Sequence, residues 1–247
     1  MAALPPPPAR EARLLLLEHR PVYTLGRLTA PAHLILPEAD LARGAEVVQA
    51  SRGGSVTYHG PGQLTAYLIL NLKAWDLAIH RHLWNLEEIA IRTLAAFGLG
   101  GLRVEGMTGV WVEEFRVPGS EFRGATSERE SPLPLRERAG GGLSEKLLSP
   151  SEPGTWNSEL AKVCAIGVGC RRWITFHGLS LNVDLNLAPF ERIDPCGLGR
   201  KPVTSLARLL GRAVTIDEAA EAMTKACAEV LDAEPSLNPQ SRIRNPQ

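Results

Sequence analysis

Twelve residues, Arg52-Gly53-Gly54-Ser55-Val56-Thr57-Tyr58-His59-Gly60-Pro61-Gly62-Gln63, set four glycines, a cation and a histidine between two apolar runs, and they limit what this chain can build. Val47-Val48-Gln49-Ala50 precedes them and Leu64 to Leu70 follows. Both runs suit buried strands, so the stretch reads as a loop and hairpin anchored in sheet at each end. Gly53, Gly54, Gly60 and Gly62 admit positive φ and close approach by another molecule. Gly-Pro-Gly is also an ordinary turn and Gly-Gly an ordinary bulge. The residues alone leave both readings open, a ligand cradle or a plain turn.

At 247 residues, 44% of them hydrophobic and 22% charged, the chain can bury a full core. Its 27 basic and 27 acidic residues cancel, which leaves no global field for nucleic acid or an anionic membrane. Leu14 to Leu17 is too short an apolar run for a signal segment or a membrane span. Cys164, Cys170, Cys196 and Cys227 show no Cys-x-x-Cys spacing, so reduced thiols in a cytoplasmic protein are expected, and no metal.

Residues 1–12, with Pro5 to Pro8, read as a disordered proline-rich terminus. Arg13 to Glu18 and Val22 to Leu25 read as strands around Pro21, and Leu34-Ile35-Leu36 as an extended piece. Leu64 to Leu70 is apolar enough to be a central strand buried on both faces. Asp76 is placed to cap a helix that carries Leu83, Leu86, Ala90 and Leu94 on one face and ends near Phe97, before Gly98. His80 and His82, two apart near its start, read as a solvated helix start and not as a metal pair. After a strand at Gly109 to Val112, residues 114–158 are rich in Arg, Glu, Gly, Pro and Ser and read as a disordered insertion.

Lys162 to Val168 reads as a strand, and two more, Ile174-Thr175-Phe176 and Leu179 to Val183, flank His177-Gly178. Thr204 begins a short helix that Gly211 ends. Thr215 and Glu218 form a capping box for a last helix with Ile216, Ala219, Met223, Cys227 and Val230 on one face. Residues 234–247 read as a frayed tail, which leaves one domain over residues 13–233. The strands gather before and after a single helix, so an α+β domain with a mixed, largely antiparallel sheet and flanking helices is expected.

Cys196, held between Pro195 and Gly197 outside regular structure, stands where loop nucleophiles stand. Cys164 and Cys170 read as buried or loop thiols, and Cys227 as a core residue. A free thiol with a pKa near ~8.5 needs a basic or cationic neighbour to supply thiolate at neutral pH. Lys162, His59 and His177 are the candidates, although Lys162 taken alone reads as a strand-end lysine with its head in water.

In one order along the chain, Tyr23 to Arg27, Arg52 to Leu64, Gly109 to Val112, Lys162 to Val168, Thr175 to Asn182, Pro195-Cys196-Gly197 and Val203-Thr204-Ser205-Leu206 resemble the motifs of the lipoyl(octanoyl) transferase family, also called lipoate-protein ligase B. The resemblance spans Leu14 to Leu231 apart from the insertion. It implies the biotin/lipoate protein ligase fold, related to the catalytic domain of class II aminoacyl-tRNA synthetases. It also implies transfer of an octanoyl group from octanoyl-acyl carrier protein to the target lysine of a lipoyl domain, in 2-oxoacid dehydrogenase complexes or the glycine cleavage H protein. Cys196 would carry the acyl-thioester and Lys162 would lower the thiol pKa and move protons, with no ATP and no metal.

The acyl-binding positions implied are Arg52, Gly53, Gly54, Ser55, Val56, Thr57, Tyr58, His59, Ala165, Ile166, Gly167, His177, Gly178, Leu179 and Ser180. Burying about six methylenes at ~0.8 kcal/mol each would contribute about 5 kcal/mol to binding. Backbone N–H groups near Gly178 or Cys196 are candidates for the oxyanion site.

Three departures stand against the pattern. The proline tract leads almost directly to Leu14, where the family has a further strand and helix. The insertion falls just ahead of Lys162, and Leu68 replaces a usual proline, which restores a backbone donor. Two other readings therefore remain: an ATP-dependent lipoate or biotin ligase, although no Gly-Arg-Gly-Arg segment is found, and a non-catalytic acyl- or lipoyl-domain-binding protein. A monomer is expected.

Overall fold

The computed structural model describes residues 11–116, 157–195 and 201–233. The sequence expectations for residues 1–10, for 117–156, for Cys196 and for 234–247 lie outside them. Period-two alternation along β5 (Gln63–Leu70) organises the rest. Leu64, Ala66, Leu68 and Leu70 point into the main core, and Gln63, Thr65 and Tyr67 take the opposite face. Leu68, the residue in place of proline, is buried there and pairs with Leu14.

β1 (Ala12–Leu17), β5, β9 (Ile174–Asn182), β8 (Asn157–Arg171), β7 (Met107–Arg116) and β6 (Leu102–Val104) lie side by side in that order, each pair antiparallel. α2 (Ile79–Ala96) and α4 (Ile216–Leu231) cover one face, with α3 (Leu206–Leu210) beside them. A second sheet runs β3 (Glu46–Gln49), β2 (Val22–Leu25), β4 (Val56–His59). Its β2–β3 pair is parallel, joined by a crossover that contains α1 (Glu38–Leu41). A smaller core of Tyr23, Leu41, Val56, Tyr58, Leu185, Phe190 and Ile193 holds this sheet. The architecture is α+β with a mostly antiparallel main sheet.

Local signals fare unevenly. The Thr215–Glu218 capping box forms, Gly211 ends α3 in a left-handed conformation, and Cys227 is buried. Asp76 does not cap α2: the cap position is Ala78, and Asp76 sits in a turn at φ +50°. Ser205 rather than Thr204 caps α3, because Thr204 pairs its N–H with the Lys162 carbonyl. The run before the glycines, expected as a buried strand, is the largely exposed edge strand β3. Val56–His59, read as part of a loop, is a fully buried strand. β7 and β8 extend past Val112 and before Lys162, pairing as far as Arg116 and Asn157, so the ends of the supposed insertion are sheet.

His82 is a further correction. It is not solvated: it is 0% exposed, and among the described residues neither ring nitrogen has a hydrogen-bond partner. Burial lowers its pKa to about 4, so it is neutral at pH 7. A buried polar group without a partner costs ~1–3 kcal/mol, so His82→Leu is expected to stabilise the fold by about 1–2 kcal/mol in a denaturant titration. The folded pKa lies below the unfolded value of 6.5, so the unfolded state takes up the proton first and wild-type stability falls between about pH 6.5 and pH 4. The variant loses less over that window; an equal loss would remove His82 as a contributor.

Candidate active site

Strands β5, β9, β8 and β7 of the main sheet line a cavity of about 300 Å³ on the face away from the helices. Thr65, Ser180 and Ala165 share one rung across β5, β9 and β8, and Tyr67, Gly178 and Gly167 share the next same-face rung. Thr24, Val56, Thr57 and His59 from the second sheet close the opposite wall.

β8 would not present Lys162 to this cavity without an irregularity. Strict alternation puts Lys162 on the face of Cys164 and Ile166, which is the helix face. Val110 pairs with Cys164 but Trp111 pairs with Lys162, so Val163 is an extra residue, a bulge. Val163 and Cys164 both enter the core, and Lys162 and Ala165 both face the cavity. Lys162 is 8% exposed, with Nζ 5.0 Å from the Trp111 ring centroid. Its stem passes over Gly109, which has φ +123°; a Cβ there would lie 2.6 Å from Lys162 Cε and from the Cys164 carbonyl oxygen. Where β9 ends, Pro202–Thr204 takes its place: the Lys162 N–H donates to the Pro202 carbonyl at 2.8 Å, and the Thr204 N–H donates to the Lys162 carbonyl at 2.9 Å.

The glycine-rich loop is held by Arg52, 8% exposed. Its guanidinium donates to the Thr24 carbonyl (2.6 Å), Thr24 Oγ1 (2.8 and 3.2 Å), the Gly53 carbonyl (3.0 Å) and the Ser55 carbonyl (2.7 Å). Those contacts use all of its donors, so Arg52 clamps the loop and has none left for a ligand. Gly53 N–H donates to the Val168 carbonyl at 2.8 Å, which fastens the loop to β8. Burial lowers the Arg52 pKa to about 10, and it stays a cation at neutral pH.

Four histidines line the cavity, His19, His33, His59 and His177. Burial brings His59 down to about 4, opposed by its hydrogen bond to Gln63, and also lowers His19 and His177, so His19, His59 and His177 are neutral at pH 7. Gln63 Nε2 donates to the Tyr58 carbonyl and Asn182 Oδ1, which turns Gln63 Oε1 towards His59 Nδ1 at 2.7 Å and fixes the proton on that nitrogen. Asn182 Nδ2 in turn donates to the Thr204 carbonyl at 3.0 Å. A hydrogen-bond chain thus runs from His59 to the segment that holds the Lys162 backbone. His19 Nε2 meets Tyr67 Oη at 2.8 Å, and His177 Nε2 meets Ser51 Oγ at 3.3 Å. The buried hydroxyls of Thr57 and Thr65 have no hydrogen-bond partner among the described residues and lie at the cavity wall.

Of the positions singled out in the sequence, Arg52, Gly54, Ser55, Val56, Thr57, His59, Lys162, Ala165, Ile166, Gly167, His177, Gly178, Leu179 and Ser180 line the cavity. Tyr58 does not: alternation along β4 turns it into the smaller core, its ring 5.1 Å from Tyr23 and 5.9 Å from Phe190. Gly53 does not line it either, since its backbone faces Val168. Cys196 lies outside the described residues; Pro195, just before it, lines the cavity. His177-Gly178, read as a break, lies within continuous β9, with His177 at φ +62°. His19, Tyr67 and Thr65 were not singled out. Tyr67 and Thr65 were findable as the polar alternates of β5. His19 had no local signal.

A profile of the lipoyl protein ligase A/B catalytic domain matches residues 6–228. The chain is 40% identical over 224 residues to the octanoyltransferase of Chloroflexus aggregans, covering 90% of this chain and 81% of that protein. It is 38% identical over 205 residues to the octanoyltransferase of Geobacter metallireducens, covering 83% and 72%. Among solved structures, it is similar to lipoate-protein ligase A bound with ATP, with a TM-score of 0.58 at 14% identity over 94% of this chain and 78% of that one. It is similar as well to the bi-partite lipoate protein ligase of Thermoplasma acidophilum, with a TM-score of 0.59 at 13% identity over 94% and 76%. At those identities the structures speak for the fold, which is that of the lipoate protein ligases.

Proposed function

The chain belongs to the octanoyltransferase family, enzymes of acyl transfer to a lipoyl-domain lysine, and we propose that Cys196 and Lys162 carry the reaction in this member. One observation carries the proposal: the bulge at Val163 turns a buried lysine into a cavity that Pro195 also lines. Pro202–Thr204, beyond the thiol in sequence, bonds to the backbone of that same lysine. Both flanks of Cys196 are therefore tied to the surroundings of Lys162.

In the first half-reaction the Cys196 thiolate, favoured by the Lys162 cation, attacks the thioester carbonyl of octanoyl-acyl carrier protein. The carbon–sulfur bond to the donor breaks, and the departing thiolate takes a proton from Lys162. In the second, the amine of the acceptor lysine attacks the acyl-Cys196 carbonyl, its proton passes to Lys162, and Cys196 leaves as thiolate. Thioester exchange is nearly neutral and amide formation from a thioester is downhill, so ATP is not needed and no metal has a task. The acyl chain lies along Tyr67, Ala165 and Gly167 on the cavity face of the sheet, and the imidazoles of His19, His59 and His177, kept neutral by burial, add no charge to its wall. Acceptors are lipoyl domains of 2-oxoacid dehydrogenase complexes and the glycine cleavage H protein, in the cytoplasm. Among the described residues no helix is long and apolar enough to cross a membrane.

The test is incubation with octanoyl-acyl carrier protein in the absence of ATP, followed by intact mass measurement. One added octanoyl group is expected on wild type and none on Cys196→Ala. A folded wild type that stays unmodified, or a label that survives Cys196→Ala, would overturn the assignment. Labelling only with free octanoate and ATP would instead identify a ligase.

A further inference from the structure

The hairpin between β8 and β9 ends in a turn that acyl transfer does not use. Arg171 pairs with Ile174, so Arg172 and Trp173 alone form the loop. Both have positive φ, +50° and +67°, as a two-residue type I′ turn requires and as Asn and Gly ordinarily supply. An arginine and a tryptophan are held there against backbone strain, and such strain is kept where surrounding structure or function demands it. The turn is fastened from behind: Leu72 N–H donates to the Trp173 carbonyl at 2.8 Å, and Asn71 bridges Ile174.

What the strained turn presents is chemically uniform. Trp173 is 50% exposed, and Lys73 Nζ stands 4.9 Å from its ring centroid. Arg171 and Arg172 are exposed beside it. Among the described residues none of these three cations forms an ion pair, and the acid of the adjoining turn, Asp76, forms none either. In a chain whose charges sum to zero, this is a local positive excess around an exposed aromatic ring.

We propose that the hairpin tip is a docking surface for an acidic face of the carrier domain that delivers the acyl thioester, with Trp173 as its apolar anchor. The proposal rests on the acyl-transfer reading above. Arginine and tryptophan are the side chains that most often dominate protein–protein contacts. The same two strands that carry the tip line the cavity from Gly167 and His177 onwards, so a body seated on the tip faces the cavity. Lys162 lies nine residues of β8 away from Arg171, about 30 Å at ~3.3 Å per residue. An acceptor lysine cannot span that, because its short side chain requires its domain to sit against the nucleophile. A donor whose thioester rides on a long flexible prosthetic arm can dock at one place and react at another.

Arg172→Asn combined with Trp173→Gly tests this without endangering the fold, because it installs the residues a type I′ turn prefers. Calorimetry of the carrier domain is expected to give a Kd about tenfold weaker for the variant than for wild type. Turnover should show a raised KM for octanoyl-acyl carrier protein at unchanged kcat, and an unchanged KM for the small donor octanoyl-N-acetylcysteamine. Added salt should weaken wild type more than the variant. Equal Kd values overturn the docking surface, whatever the turnover. So does binding of wild type, and not the variant, to phosphatidylcholine–phosphatidylglycerol vesicles with the carrier Kd unmoved, which would make the tip a lipid contact. Failure of the acyl-transfer reading has a different signature: no octanoyl on Cys196 from either donor, with the difference in carrier Kd intact.

Discussion

Lys162→Met is expected to leave the protein folded and to lower octanoyl transfer by about 10²–10⁴-fold, the range for loss of a positioned proton-transfer group. The stem of Lys162 packs over Gly109 and beside Trp111, and methionine replaces most of that apolar contact, so stability should change little. The charge has no substitute. The other buried cation among the described residues, Arg52, spends its donors on the glycine loop, and burial holds His19, His59 and His177 neutral. Without Lys162 the Cys196 thiol should titrate higher, and the rate of its alkylation by iodoacetamide should reach its midpoint at higher pH. Cys164 and Cys227 do not interfere, since burial pushes their thiols up to about 12 and about 11. Cys170 is exposed, so the measurement uses a Cys170→Ser background. An unshifted alkylation profile together with unchanged turnover would remove Lys162 from both of its roles.

The contrast between Arg52 and Lys162 also shows which parts of the molecule the sequence discloses. Residues whose signal is local were legible. The Thr215–Glu218 capping box is closed by atoms three residues apart, and β5 declares itself by eight residues of composition. The α+β class followed from the order of such elements. The placement of Lys162 was not legible, because the bulge at Val163 is a property of the pairing between β7 and β8 and leaves no mark in β8 alone. The role of Arg52 was invisible for a similar reason: its partner Thr24 lies in β2, 28 residues from the loop that carries Arg52. Tyr58 was misplaced because a continuous motif of glycines and polar residues hides a strand, β4, whose alternation sends Thr57 and His59 one way and Tyr58 the other. His82 was misread because helical position near an N-terminus says nothing of what packs over it.

Gly178→Ala is expected to destabilise the fold severely. Gly178 lies within β9, paired with Tyr67 of β5 on one side and Gly167 of β8 on the other. A Cβ at this position would stand 2.1 Å from the Ala66 carbonyl oxygen and 3.2 Å from Tyr67 Cα, all of it backbone. Backbone in the middle of a six-stranded sheet cannot step aside as a side-chain end can, so β9 must separate from β5 at the rung that forms the cavity floor. Overpacking commonly costs ~1–3 kcal/mol; with a ladder strained as well, about 4 kcal/mol or more is expected, against total stabilities of ~5–15 kcal/mol. Thermal unfolding should therefore show a large fall in Tm or no cooperative transition. Gly167→Ala is the informative comparison. There a Cβ would lie 3.0 Å from Arg52 Cδ and 3.1 Å from the Gly53 carbonyl, so it presses on the clamped loop and not on the ladder. It should keep most of the stability and lose acyl binding, seen as a raised KM for the donor. If Gly178→Ala unfolds no more readily than Gly167→Ala, the β5–β9 ladder is not the rigid floor on which the site is built.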